Sequence, residues 1–129
     1  MIVVVDVANV MGSRPDGWWR DRAAAANRLL TGMPGLVGRA VAAPEGGTAV
    51  IAQIVAVVEG VAKAVTAPDG VLVVRAPADG DSTTVSTAQQ YADTGARVLV
   101  VTADRGLRAR LAHGVAVAGP SWLNELLGR

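Results

Sequence analysis

The chain has 129 residues, close to the usual length of one domain and enough to build a sizeable core without staples. Alanine (24) and valine (22) dominate and hydrophobic residues reach 51%, which excludes a disordered or low-complexity chain. There is no Cys, so disulfides, thiolate metal sites and Cys nucleophiles are excluded and a reducing cytoplasm is the expected location. Net charge is only +1, yet 11 of the 12 bases are Arg and eight of the 11 acids are Asp, a residue suited to caps, turns and metal-ligating corners. The amino terminus lacks a basic leader and an acid ends its apolar run at Asp6, so no signal peptide is expected. The uncharged stretch 46–58 is shorter than a bilayer span, so no membrane role is expected either.

Along the chain, residues 3–5 form a first β-branched run, ended by Asp6 with no helix expected directly after it. Residues 18–30 carry Trp19, Ala23, Ala26 and Leu30 at helical spacing, with Trp19 facing a core. The stretch 31–47 is the least regular; 33–42 reads as a short helix before the loop 44–47. Residues 54–58 and 71–74 are strands, the former starting anywhere from 48 to 54. Then come a helix over 82–93, a strand over 98–101, a helix over 105–112, a strand over 115–117 and a helix over 121–127 capped by Ser121. Continuous β-branched runs alternating with helices predict a three-layer α/β/α fold, one domain over 1–129, with a mainly parallel five-stranded sheet covered on both faces.

Function in such a sheet lies beyond the carboxyl ends of its strands. Asp6 and Asn9 follow the first run, Glu59 the second, Asp79 and Asp81 the third, and Asp104 the fourth. Each has an ordinary reading: Asp81 and Asp104 as helix caps, Glu59 as a solvated strand exit. Together, carboxylates at one sheet edge repel unless a cation neutralises them, and oxygen donors without Cys imply Mg²⁺ or Mn²⁺. Such ions serve phosphodiester hydrolysis. No GxxxxGK[ST] loop or early GxGxxG is present, which excludes a P-loop enzyme and disfavours dinucleotide binding. A phospho-aspartate mechanism wants a second early Asp and a Lys near a later strand end, and Asn9 and the isolated Lys63 fit neither.

The run Val4-Val5-Asp6-Val7-Ala8-Asn9-Val10, then Gly80-Asp81-Ser82 opening a helix and Val101-Thr102-Ala103-Asp104-Arg105 after a strand, resembles the NYN group of the PIN-like nucleases. The resemblance covers most of the chain, residues 31–53 matching least. It implies a metal-dependent ribonuclease that leaves a 5′ phosphate. Asp6, Asp81 and Asp104 then match its metal-binding acids and Asn9 the side chain that orients Asp6. Thr102 and Ser82 act one layer out, on the ligands or their waters. The sequence departs from the family at Ser82, where a second acid is frequent. The resemblance also leaves room for a protein partner such as an antitoxin, while the β-branched residues 48–54 could cover the core or form a homodimer contact.

Residues 13–22 place Arg14, Arg20 and Arg22 beside Trp18 and Trp19, the pairing of cation and stacking face that single-stranded nucleic acid needs. Arg14, Trp18, Arg22 and, after Asp104, Arg105 are the candidate RNA contacts; surface pairing with Asp16 and Asp21 is the plain alternative. His113 reads as a helix C-cap and Trp122 as packing. A catalytically weak RNA- or protein-binding module and a small-phosphoester phosphatase are the rival functions.

Overall fold

The structure, a computed structural model, describes the backbone of all 129 residues and every side chain except those of Val61 and Lys63. The inference drawn from Lys63 therefore lies outside the described residues. All five β-branched runs are strands. In chain order the elements are β1 (Ile2–Asp6), α1 (Val7–Gly12), α2 (Arg22–Thr31), β2 (Ala40–Ala42), β3 (Thr48–Val50), β4 (Gln53–Val58), β5 (Val71–Arg75), α3 (Gly80–Asp93), β6 (Val98–Val101), α4 (Arg105–Arg110), β7 (Ala116–Ala118) and α5 (Pro120–Leu127). Strands β5-β4-β1-β6-β7 form one sheet in that order, every pair parallel.

Because side chains alternate across a pleated strand, each continuous apolar run feeds two cores. Val3, Val5, Ile54, Ala56 and Val58 face α1, α2 and α5, whose Val10, Leu29 and Leu123 are fully buried. Val4, Val55, Val57, Val98 and Val100 face the other way, onto Ala88 of α3 and Leu107 of α4. This is the expected α/β/α sandwich.

Local boundaries differ from expectation in places that matter. A helix does start directly after Asp6, and Asp6 is its N-cap. The predicted helix 18–30 is split: Trp18–Arg20 is a single 3-10 turn, Asp21 caps α2 through Ala24 N, and the helix proper starts at Arg22. The predicted helix 33–42 is wrong. Pro34 and Gly35 limit helix to a 3-10 turn over Met33–Leu36, and Ala40–Ala42 pairs antiparallel with Thr48–Val50. Gly46 and Gly47, at φ 109° and 73°, make the reversal that other residues resist. Within the 48–54 stretch, Ile51 is fully buried while Val50 is half exposed on this hairpin. Trp122 of α5 ties the hairpin down by donating its indole N–H to Ala42 O at 2.9 Å. Helix α5 starts at Pro120 with Gly119, not Ser121, as cap, and α4 ends at Arg110 with Leu111 as cap, which leaves His113 exposed in the following turn. Among the described residues no helix is long and apolar enough to cross a membrane.

Candidate active site

Strand β1 is central, with β4 on one side and β6 on the other. The chain runs outward from β1 through β4 to β5, then returns by way of α3 to β6, so the gap between β1 and β6 is the switch point of the sheet, where parallel sheets place their ligand crevice. Asp6, Glu59 and Asp104 are delivered there from the ends of β1, β4 and β6, and α3 brings Asp81 across. These four acids, with Ala8 and Asn9, line one cavity of about 230 Å³. Glu59, which also reads as a solvated strand exit, belongs to this wall, because β4 pairs with β1 and so ends beside Asp6.

Asp6, Asp104 and Glu59 are held by the backbone or by a hydroxyl. Asp6, only 6% exposed, accepts from Thr102 Oγ1 at 2.9 Å on Oδ2 and weakly from Asn9 N at 3.4 Å on Oδ1. The fully buried Thr102 hydroxyl in turn accepts from Asp104 N at 3.1 Å. Asp104 caps α4 through Leu107 N at 2.9 Å, as expected of an Asp before a helix. Glu59 accepts from Gly80 N at 2.5 Å. A Cβ at position 80 would lie 2.9 Å from the Glu59 carboxylate, so Gly80 permits the close approach of α3 to that acid. The cap of α3 is Asp79, which accepts from Ser82 N at 2.7 Å; Asp81, one residue into the helix, is thereby left for the cavity.

Burial pushes the Asp6 carboxyl up to about 6, with the hydrogen bonds from Thr102 and Asn9 opposing the rise and the charges of Asp81 and Glu59 adding to it. Asp81 is also raised, first by burial and then by the charges of Asp104, Glu59 and Asp79, with Arg110 opposing. The site is thus short of positive charge. Its donors are all carboxylate oxygens, the chemistry a hard divalent cation selects. Among the described residues, however, no group of three or more such side chains is gathered closely enough to hold a metal ion as a set.

The supporting residues land differently from expectation. Asn9 does not orient Asp6 with its side chain; its Oδ1 accepts from Ala103 N at 2.8 Å, so it fastens the loop that carries Asp104. Ser82 turns away from the acids, its exposed hydroxyl accepting from Arg110 at 3.1 Å. Trp18, not Trp19, packs against the core; Trp19 is 51% exposed. The two rings meet edge to face at 5.9 Å, and the Arg22 guanidinium lies over Trp18 at 5.4 Å. Trp18 and Arg22 line a second cavity that adjoins the acidic one, with Ala8 and Glu59 common to both walls. Arg14 lies in the field of Arg129 and lines neither cavity, and Arg105 is exposed at the first turn of α4.

No protein-family model matches the chain, and no curated protein matches it in sequence. Its structure is similar to the crystal structure of a mutant of Rae1 (YacP) from Bacillus subtilis, with a TM-score of 0.74, 17% identity, and coverage of 98% of this chain and 74% of that one. The chain therefore has the expected three-layer α/β/α architecture with a five-stranded parallel sheet, a fold similar to that of Rae1.

Proposed function

We propose that the protein is a ribonuclease that hydrolyses phosphodiester bonds of RNA, internally in the strand, with Mg²⁺ or Mn²⁺ as cofactor. Asp6, Asp81 and Asp104, with Glu59 beside them, line the cavity that would receive the ion. The RNA phosphate would complete its hold, because among the described residues no three of the acids form a metal-holding group by themselves. The observation that carries this reading is the gathering of four carboxylates, from three adjacent strand ends and α3, around one cavity at the switch point of the sheet. When bound, the ion supplies charge compensation and an activated water. The protein's own part is positioning. Thr102 holds Asp6 and the start of the Asp104 loop together, Asn9 fastens that loop from the other side, and Gly80 lets Glu59 close on α3. The raised carboxyl of Asp6 favours cation over proton only once pH exceeds about 6. Trp18 and Arg22 bind the strand beside the acids, with Arg14 and Arg105 contacting phosphates further out.

The test is cleavage of labelled single-stranded RNA in Mn²⁺, with EDTA and Asp104→Asn as controls. Cleavage that survives either control overturns the metal mechanism, and preferential turnover of a small phosphomonoester overturns the nuclease assignment. A second reading, a binding module with weak catalysis or none, draws on the lack of a metal-holding group of three acids among the described residues and on Ser82 facing Arg110. It predicts RNA retention without cutting under the same conditions.

A further inference from the structure

The cavity beside the acids has properties that phosphodiester cleavage alone does not call for. It measures about 450 Å³, within the range of small-molecule sites, and is lined mainly by apolar side chains: Met11, Trp18, Ala62 and Ala78, with Arg22 and Glu59 at its polar edges. A groove that only tracks phosphates would be basic and open. This one has a flat aromatic wall. The Trp18 ring packs against the core and is braced edge-on by Trp19, so its face is set before any ligand arrives. The Arg22 guanidinium lies over that ring and supplies both a planar cation and phosphate-binding donors.

We propose that this cavity is a subsite for one unpaired nucleobase of a single-stranded RNA. The base takes the place of the Arg22 guanidinium over the Trp18 ring, among Met11, Ala62 and Ala78, and the displaced Arg22 meets a phosphate of the same nucleotide. The shared wall of Ala8 and Glu59 then puts the neighbouring phosphate over the acidic cavity. A base in a duplex would have to leave its stack to enter, whereas an unpaired one enters at lower cost, so the subsite selects single strands. The inference rests on the ribonuclease reading for its substrate class, and it fixes the register of the strand relative to the acids.

The test reads binding without turnover. Indole N–H resonances of the three tryptophans are followed by NMR in EDTA as adenosine or uridine 5′-monophosphate, a single-stranded hexaribonucleotide, or an RNA duplex of the same sequence is added. The expected result is a saturable shift of the Trp18 resonance with nucleotide and single strand, Trp122 unmoved, and binding at least tenfold weaker for the duplex. Ala78→Leu, at an exposed loop position, fills the cavity without removing core contacts and weakens single-strand binding about tenfold. A stationary Trp18 at saturating hexamer, or wild-type affinity in Ala78→Leu, overturns the proposal. Loss of the nuclease reading is distinguishable: an inactive protein whose Trp18 still responds keeps the base subsite, and an active one whose Trp18 does not respond loses it.

Discussion

Thr102 and Asp6, 96 residues apart in the chain, are joined by a buried hydrogen bond of 2.9 Å from the threonine hydroxyl to Asp6 Oδ2. The same hydroxyl accepts from Asp104 N, so a single oxygen couples one acid to the backbone of another across the gap between β1 and β6. Thr102→Val, of nearly equal volume, removes both bonds and keeps the packing. It should cost about 1–2 kcal/mol of stability in chemical denaturation. It should also raise the Asp6 carboxyl further above about 6, because the lost bond favours the charged form. An unchanged Asp6 titration by carboxyl NMR would show that Thr102 does not set it.

Asp6 makes stability depend on pH in a defined window. Its carboxyl moves from 3.8 to about 6 on folding, so the folded state binds more protons between those values. The stability associated with its protonation is fully present below pH 3.8 and is lost as pH rises through about 6. Asp6→Asn should therefore be more stable than wild type by about 2 kcal/mol at pH 7.5 without divalent cations, and gain little near pH 4. Added Mn²⁺ should narrow that difference by stabilising the wild type alone, which thermal unfolding at the two pH values measures.

Gly80→Ala separates folding from site geometry. Alanine is the better helix residue, and the atoms its Cβ would meet belong to the flexible end of Glu59, so stability should change by less than about 1 kcal/mol. Glu59 must nevertheless leave Gly80 N and the cavity wall it defines. RNA cleavage should fall about tenfold or more while the melting temperature barely moves; equal activity would place Glu59 outside the machinery.

Restoring the acid that the PIN-like resemblance expects at position 82 should not raise activity. Ser82 faces Arg110 rather than the cavity, so Ser82→Asp should form an exposed ion pair in the first turn of α3. The gain expected is no more than about 1 kcal/mol of stability, with no increase in Mn²⁺ affinity by calorimetry. Higher affinity would mean that the first turn of α3 can rotate toward the acids.

The sequence by itself determined the sheet and the rough position of the acids. Continuous Val-rich runs can be satisfied only by burial on both faces, and Asp6, Asp81 and Asp104 follow those runs whatever the detail of the loops. Asp104 was also legible as a cap, because capping is a local bond to the next turn of the same helix. What only tertiary structure decided were choices between local options of similar energy. Trp18 and Trp19 are equivalent in pattern, and the core accepts the first. Asp79 and Asp81 can each cap α3, and the one that does so leaves the other for the cavity. Residues 40–42 became a strand because residues 48–50 lie beside them. Glu59 looked like a solvated strand exit until Gly80 on α3 closed on it. Each of these depends on a contact between distant segments, and the composition and spacing of one segment cannot encode the neighbour it will meet.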